Sequence, residues 1–436
     1  MPPMTEPFPA EPTTALDEGQ YLRSIASCGD NRPLIALQPI YSANGIKLLD
    51  TGARIDSRIL DRLFGHTLSA PIDQSVTSED AVNHPNLVKR CRELVAVSAV
   101  LAHFDGMEEA VSARLWRAME ACPLPPAITI RLMVVREAAP RLYEHSLRCA
   151  FLALFIGVRA RFSDGDLQLL ATAALLHDIG MMHADPAPYE AESPLDVAAR
   201  RSLHVHPLTG EIIAQRESLL NRSIATAIAE HHERIDGTGY PRHLPGESIS
   251  KLGRALMLAD AVLGIIERHP ARAARQLSLL LRFNHRSFDA GLCEALLAAL
   301  PRNSAMAGVS AEACAEFALV ISLVDSWTQA TNGNLPSWQD GIADLIEHRI
   351  SHLRHRLVEA GLGDLQAALA VGNEEPQVCE ELAALGREAI WQMRQIAYDA
   401  SERLSQQRGK EGVATPDAVR EWIAKVLQSD PSVESP

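Results

Sequence analysis

Apolar residues recur at three- and four-residue intervals along most of the chain, and this spacing predicts a mainly α-helical protein. Helices are predicted over residues 78–121, 141–162, 165–178, 207–219, 222–233, 251–267, 311–330, 337–360, 377–405 and 416–428. Asp164 is the predicted N-cap of the helix over 165–178. The last helix carries its apolar residues on one stripe, which needs a partner surface in this chain or another.

A short β-hairpin is predicted near the N-terminus. Two apolar segments, 34–37 and 46–49, flank Asn44-Gly45, a dipeptide typical of hairpin turns. Asp56-Ser57 is then predicted to cap a helix. The proline-rich segment 123–126 breaks the chain, so we place the first domain boundary there.

These patterns divide the chain into five predicted parts. They are a mobile N-terminus over 1–30, a small α+β module over 31–125, a helical domain over 126–300, a helical C-terminal extension over 301–405, and a loose tail with a short amphipathic helix over 406–436.

Composition narrows the class of protein and its partners. Aromatic residues make up only 5% of the 436 residues, which favours helix over sheet. The net charge of −14 argues against a nucleic-acid polymer as partner. The seven cysteines are scattered, without a CxxC pair, and indicate free thiols in a reducing cytoplasm. The N-terminal residues do not resemble a signal peptide, and the most apolar run, 150–158, is too short to span a membrane.

Histidines and aspartates concentrate in the middle domain. One patch contains His177-Asp178, and a second opens with His231-His232 and ends in a glycine- and proline-rich loop. Divalent metals of the Mn, Fe or Zn type accept imidazole and carboxylate ligands together. Adjacent side chains at the end of a helix splay apart, so His177 and Asp178 could each bind a different metal, or Asp178 could bridge both. Asp260 lies in an apolar helix, where a carboxylate is costly unless it is paired or metal-bound.

Each candidate taken alone also has a purely structural interpretation. His145 fits a satisfied polar residue, His206 a helix cap, and Asp260 a buried salt-bridge partner. The adjacent pair His231 and His232 fits an exposed helix surface. These interpretations weaken because all seven residues occur in one helical domain, and their joint presence favours a metal centre.

The middle domain resembles the HD-GYP branch of the HD phosphohydrolase superfamily over roughly residues 126–285. His177-Asp178, followed by Ile-Gly, matches the HD motif, and Gly239-Tyr240-Pro241 matches the GYP motif. The family's His-Pro-x-x-Gly motif is present at His206, and its late aspartate corresponds to Asp260. This resemblance implies a helical, metal-dependent hydrolase domain.

By the same resemblance, the chain is expected to hydrolyse cyclic di-GMP to pGpG, GMP or both, through a hydroxide held between two metals. His177 and Asp178 would be catalytic. The first metal would be bound by His145, His177, Asp178 and Asp260, and the second by Asp178, His206, His231 and His232. The substrate would contact Gly239, Tyr240, Pro241, Arg268 and Arg272. Fe or Mn is favoured as the metal over Zn, Ni or Mg.

The sequence departs from the family pattern at three positions. Met181 stands where the family usually has a lysine that can stabilise phosphate charge. Arg141 occupies the position of the glutamate found in members with a third metal, so two metals are expected. The family's Arg-Pro-Tyr-Arg segment survives only loosely as residues 268–272.

Met181 supports an alternative function, a weakly active or inactive receptor or interaction module for cyclic di-GMP. A third hypothesis, hydrolysis of another phosphoester, is disfavoured by the intact GYP motif. The apolar stripes of the C-terminal helices also predict a homodimer or a protein partner.

Overall fold

Helices dominate the protein, which confirms the mainly α fold class. The computed structural model describes residues 19–59, 63, 65–183, 197–268, 270, 273–301, 313–331, 341–360, 362, 364–374, 376–407 and 417–429. In its N-terminal half the helices are α1 (Gly19–Asn31), α2 (His84–Val97), α3 (Ala99–Gly106), α4 (Glu109–Glu120), α5 (Pro126–Ala138), α6 (Pro140–Arg159), α7 (Asp164–Leu176) and α8 (Val197–Arg216).

The C-terminal half is also mostly helical in its described residues. Its helices are α9 (Arg222–Glu230), α10 (Lys251–Arg268), α11 (Ala273–Phe283), α12 (Ala290–Leu297), α13 (Ala313–Ala330), α14 (Ile342–Glu359), α15 (Leu365–Glu374), α16 (Pro376–Gln407) and α17 (Asp417–Gln428). Single-turn 3₁₀ helices occur at Ser57–Ile59, Ile72–Gln74 and Gly246–Ser248, and a longer one at Ile179–His183.

Four short strands form two small antiparallel sheets near the N-terminus. They are β1 (Ile35–Ala36), β2 (Ile40–Tyr41), β3 (Lys47–Leu49) and β4 (Val76–Thr77). The predicted hairpin exists, because β2 pairs with β3 around Asn44-Gly45. The segment we placed in its first strand, β1, pairs instead with β4. Pro39 separates β1 from β2 and cannot donate a ladder hydrogen bond, so β1 does not continue into the hairpin.

Several helix boundaries differ from the sequence prediction. The side chain of Ser163, not Asp164, caps α7 by accepting a hydrogen bond from the Asp166 N–H at 3.1 Å. Helix α8 begins at Val197 and includes Pro207, which we expected to start the helix. A proline there removes one intrahelical hydrogen bond without ending the helix. The helix predicted after Asp56-Ser57 begins with one 3₁₀ turn, and most of its remaining residues lie outside the described range.

The contacts divide the chain into two compact units, the first comprising Met1–Ala191, Ala198–Leu263 and Arg286–Ala299. Helix α6 lies at its centre, and α2, α4, α5 and α7 pack against it. Every residue from Cys149 to Ile156 is buried. Helices on both sides of the proline-rich segment thus share one core, and the five-part domain division stays a prediction.

The second unit comprises Glu192–Val197, Gly264–His285 and Leu300–Pro436. Helices α11, α13, α14, α15 and α17 pack against the long helix α16. The apolar stripe of α17 is buried here, with Trp422 at 5.1 Å from Trp327 between ring centroids. The same chain therefore supplies the partner surface that this stripe needs. No helix in the described part of the chain is long and apolar enough to cross a membrane.

Candidate metal centre and substrate loop

The seven predicted metal ligands lie in one cluster inside the first unit. His145 is carried by α6, and His177 and Asp178 follow the end of α7. His206 lies on α8 and Asp260 on α10, while His231 and His232 follow the end of α9. Helices distant in sequence thus bring their polar residues to one place, although their role as ligands stays a prediction.

The imidazole and carboxylate groups form two sets that could each hold a metal ion. One set comprises His145, His177 and Asp260, and the other comprises Asp178, His206, His231 and His232. Within each set, the nearest ligand atoms lie within 4.8 Å of one another. This spacing suits coordination of one ion by each set.

Asp178 contacts both sets through different oxygen atoms. Its Oδ2 lies 3.2 Å from His177 Nε2 and 4.0 Å from His145 Nε2. Its Oδ1 lies 3.2 Å from His206 Nε2 and 3.6 Å from His231 Nε2. A carboxylate placed in this way has the geometry of a bridging ligand.

Asp260 also reaches beyond the set to which the sequence assigned it. Its Oδ1 lies 3.2 Å from His145 Nε2, and its Oδ2 lies 3.6 Å from His232 Nδ1. Asp178 and Asp260 therefore each contact histidines of both sets.

Backbone carbonyls orient two of the buried histidines. His177 Nδ1 donates to the Ala174 carbonyl at 2.8 Å, and His231 Nδ1 donates to the Ile228 carbonyl at 2.6 Å. Each carbonyl comes from the last turn of the preceding helix. Because a carbonyl can only accept, the Nε2 atom of each neutral ring carries the lone pair that points into the cluster.

Close backbone contact places the turn that carries His177 and Asp178 against α8. A Cβ atom added to Gly180 would lie 2.1 Å from the His206 carbonyl oxygen and 2.8 Å from the Gly210 nitrogen. Glycine is therefore required at position 180 for the two ligand-bearing segments to meet. This contact gives the Ile-Gly after His177-Asp178 a physical explanation.

The electrostatics favour the ionised form of Asp178 and the neutral forms of His231 and His232. Burial opposes ionisation of Asp178, but His177, His206 and His231 outweigh it and hold the pKa of Asp178 well below its usual value. Burial and the neighbouring histidines lower the pKa of His232 well below its usual value, and burial also lowers the pKa of His231.

For His177 and Asp260, burial is the largest single cause, but the neighbouring charged and hydrogen-bonding groups together outweigh it. For His177, burial is outweighed by Asp178 and Asp260, so its pKa is raised. For Asp260, burial is outweighed by His145 and His177, so its pKa is lowered. Metal binding releases protons from its ligands, so a divalent cation can replace a proton that this cluster holds.

The cluster passes a simple test of fit for metal ions. His177 Nε2 is fully buried and forms no hydrogen bond with any described residue. His206 Nε2 and His231 Nε2 lie 3.1 Å apart, a spacing typical of two ligands on one ion. Buried nitrogen lone pairs beside ionised carboxylates are stabilised by a bound cation.

The predicted substrate loop folds against the second set of histidines. Tyr240 precedes a cis peptide bond to Pro241, and its N–H donates to the His232 carbonyl at 3.0 Å. A Cβ atom at Gly239 would lie 2.3 Å from the Arg234 nitrogen, so only glycine allows this close packing. The loop therefore has a fixed position beside the cluster of histidines and aspartates.

Glu233 organises this loop, a role that the sequence did not reveal. It is fully buried, and its carboxylate accepts hydrogen bonds from the backbone N–H groups of Arg242 and Leu244, at 2.7 and 2.9 Å. Burial raises its pKa, while these two donors oppose the shift. A glutamate next to two histidines gives no pattern from which this contact could be predicted.

His204 is a second residue that sequence reasoning missed. Its ring stacks on Tyr240 with 4.3 Å between centroids, and Tyr240 also lies 4.7 Å from His232. The position of His204 two residues before His206 could have indicated proximity to the centre.

The other residues that the sequence singled out are not among the seven clustered side chains. Arg268 is the last residue of α10 and belongs to the second unit, and Arg272 lies outside the described residues. Arg141 is exposed in the first turn of α6. Met181 lies half-buried on the turn after Asp178, with its N–H bonded to the Asp178 carbonyl at 2.9 Å.

A helical fold with a His/Asp cluster of this kind is typical of metal-dependent hydrolases. The family model of the HD domain matches residues 142–264 of the chain.

Curated relatives are similar to part of this chain. It is 31% identical over 169 residues to "3'3'-cGAMP-specific phosphodiesterase 3" of Vibrio cholerae serotype O1, covering 39% of this chain and 36% of that protein. It is 30% identical over 158 residues to a "Cyclic di-GMP phosphodiesterase" of the same organism, covering 34% and 32%. A cyclic di-GMP phosphodiesterase of Pseudomonas aeruginosa is 28% identical over 173 residues, which cover 39% of each chain.

These similarities confirm the predicted resemblance to the HD-GYP family. The match spans about a third of the relatives' own length, between 32% and 39%. It identifies the type of domain, while the activity of the whole protein is a separate question.

Proposed function

We propose that the protein is a metal-dependent phosphodiesterase that hydrolyses a cyclic dinucleotide, with cyclic di-GMP as the substrate. The position of Asp178 between two sets of histidines is the observation that carries this proposal, because a bridging carboxylate is what a two-metal hydrolase requires. The HD domain and the relatives named as cyclic di-GMP and cGAMP phosphodiesterases support it.

Two divalent ions would be held by the seven clustered side chains, one by each set with Asp178 between them. Fe or Mn suits this mixture of imidazole and carboxylate better than Mg, which prefers oxygen ligands. When bound, such ions lower the pKa of water and neutralise the charge that develops on phosphate. Asp178 and His177 would fix the position of the reacting phosphate relative to these ions.

The loop with Gly239, Tyr240 and Pro241 would form one wall of the substrate site. Its contact with His232 places it beside the cluster, and the aromatic ring of Tyr240 offers a flat apolar surface to a nucleobase. Arg268 and Arg272 are proposed to add positive charge for the phosphates.

Product analysis tests this proposal. Purified protein loaded with Mn or Fe is incubated with cyclic di-GMP and, separately, with 3'3'-cGAMP, and the products are separated by chromatography. We expect pGpG, GMP or both from cyclic di-GMP. The matched control is His177→Ala with Asp178→Ala, which should lose both metal and activity. Unchanged metal content by elemental analysis would refute the ligand assignment.

Met181 favours a second function, that of a cyclic di-GMP receptor with little or no turnover. The half-buried methionine places no positive charge on the turn next to Asp178. A receptor would bind cyclic di-GMP in a calorimetric titration but release no product in the same assay. Tight binding without any product would replace the enzyme proposal with this one.

The wider properties of the protein are further proposals. We place it in the cytoplasm, with the HD-GYP domain over 126–300 between an N-terminal module and a helical extension. A homodimer or protein partner would use C-terminal helices other than the stripe of α17, because that stripe is already buried within the chain.

A further inference from the structure

A buried polar cluster lies on the far side of the turn that carries His177 and Asp178. This turn continues as the 3₁₀ helix Ile179–His183, and His183 is its last residue. His183 Nε2 lies 3.0 Å from Arg131 Nη1 on α5. Because a guanidinium only donates, His183 Nε2 must be the acceptor, and this ring is neutral.

Arg131 is also paired with an acidic residue from the N-terminal part of the unit. Its Nε and Nη2 lie 2.6 and 2.5 Å from Asp73 Oδ2. The Arg131 and Asp73 side chains are only 5% and 4% exposed. Buried ion pairs contribute little net stability, so such a pair is weak evidence for a purely stabilising role.

Aromatic contacts complete the cluster. Tyr21, on α1, stacks on the His183 ring with 5.3 Å between centroids, and Arg131 lies 4.0 Å above the Tyr21 ring. His183 is therefore held by a hydrogen bond at its edge and by a ring on its face. Both contacts come from elements other than those that carry the metal ligands.

The Asp73 segment reaches a second ligand-bearing element as well. Gln74, the next residue, donates to the Arg216 carbonyl at the end of α8, at 3.3 Å. Helix α8 carries His206, and its backbone is in close contact with Gly180. The segment of Asp73 and Gln74 is thus connected, through Arg131, to the turn that carries Asp178. It is also connected directly to helix α8, which carries His206.

We propose that Arg131, held by Asp73, is a positioning residue that fixes the His177–Asp178 turn through His183. This inference rests on the ligand assignment of the proposed function. A guanidinium can contact Asp73 and His183 at the same time because its planar donors point in different directions. Loss of either contact frees the end of the turn, and the ligand atoms at its start lose their fixed spacing.

Two conservative variants test this role. Arg131→Lys keeps the positive charge beside Asp73 but cannot span both partners. His183→Phe keeps a ring against Tyr21 but removes the acceptor. The matched control is Leu101→Ala, since Leu101 is fully buried in α3, a helix that packs against α2 and α4. Leu101→Ala should lower stability through a helix that carries neither a predicted ligand nor a residue of the Arg131 cluster.

Two measurements are made on metal-free protein at a temperature well below unfolding. The first is Mn²⁺ affinity by calorimetric titration, and the second is hydrogen exchange of a peptide covering residues 174–183. We expect both turn variants to lose about tenfold in Mn²⁺ affinity, the size typical of groups that orient metal ligands. We also expect faster exchange in that peptide, with neither change in Leu101→Ala.

The outcomes separate this inference from the proposed function. Wild-type affinity and exchange in both turn variants would overturn the positioning role, as would equal losses in Leu101→Ala. If the wild-type protein binds no Mn²⁺, the ligand assignment fails, and the exchange measurement still decides whether Arg131 and His183 hold the turn.

Discussion

Met181 is the residue that most directly affects the expected rate of turnover. Its backbone lies on the same turn as Asp178, but its side chain brings no charge. Met181→Lys should raise kcat on cyclic di-GMP by about tenfold, because a charged hydrogen bond contributes roughly 1.5–3 kcal/mol. Steady-state kinetics on metal-loaded protein provide the measurement.

Met181→Gln is the matched control for this substitution, since glutamine is polar and of similar length but uncharged. It should leave kcat close to the wild-type value. Equal rates for the wild type, Met181→Lys and Met181→Gln would show that charge at this position does not limit turnover.

Gly180 is a second position where a single residue affects the centre, because the absence of a Cβ atom there lets the His177–Asp178 turn contact α8. Gly180→Ala forces a methyl group against the backbone of α8, which must shift away. Overpacking of this kind costs about 1–3 kcal/mol, so we expect a lower free energy of unfolding and weaker metal binding. Chemical denaturation followed by circular dichroism measures the first effect.

Gly106→Ala offers the comparison for Gly180→Ala, because no atom lies within 4 Å of a Cβ built at Gly106. It should leave stability unchanged or raise it slightly, since alanine is the better helix former. A similar loss in both variants would mean that the contact with α8 does not matter.

At the residue scale, the sequence was most informative for polar side chains whose burial costs free energy unless they bind a partner or a metal ion. Asp260 in an apolar helix and the pair His177-Asp178 could be singled out in this way, and the structure brings them together. Arg131 could not, because Asp73 and His183 come from distant segments, and Glu233 could not, because nothing around it marks the two backbone donors that it binds. Buried hydrogen bonds across tertiary contacts leave no periodic pattern in the sequence.

At the scale of elements, the substrate loop depends on one buried carboxylate. In Glu233→Gln the amide nitrogen would face one of the backbone N–H groups of Arg242 and Leu244. An unsatisfied buried donor costs about 1–3 kcal/mol. We expect a KM for cyclic di-GMP raised by roughly tenfold, with metal content unchanged, as measured by kinetics and elemental analysis.

Glu247→Gln is the control for the loop variant, because Glu247 is exposed on the nearby 3₁₀ helix Gly246–Ser248. Its KM should match that of the wild type. An unchanged KM in Glu233→Gln would show that the loop held by Glu233 does not contribute to substrate binding.

Element boundaries were predicted less well than element types. Helix α8 extends ten residues before Pro207, although proline is usually read as a helix start. Ser163 caps α7 because its hydroxyl reaches the Asp166 N–H, while Asp164 lies inside the first turn. Ser163 and Asp164 are both favourable N-cap residues, and Pro207 is compatible with a helix start. The sequence alone therefore did not determine where α7 and α8 begin.

At the scale of the whole molecule, the sequence indicated helical segments but not how they group into cores. The proline-rich segment 123–126 suggested a boundary, yet α4 and α5 on either side both pack against α6. Amphipathic stripes show that a helix needs a partner without showing which one, as α17 illustrates. The assignment of helices to compact units therefore required the structure.

The two units should respond differently to metal. All seven clustered side chains belong to the first unit, so metal binding stabilises that unit alone. A ligand at a hundred times its Kd stabilises the folded state by about 2.7 kcal/mol. We expect calorimetry of metal-free protein to show a transition that shifts to higher temperature with added Mn²⁺ and a second transition that does not.

His177→Ala with Asp178→Ala should abolish the shift, and Mg²⁺ at the same concentration should produce a smaller one, because imidazole is a poor ligand for Mg²⁺. Equal shifts of both transitions would contradict a site confined to the first unit.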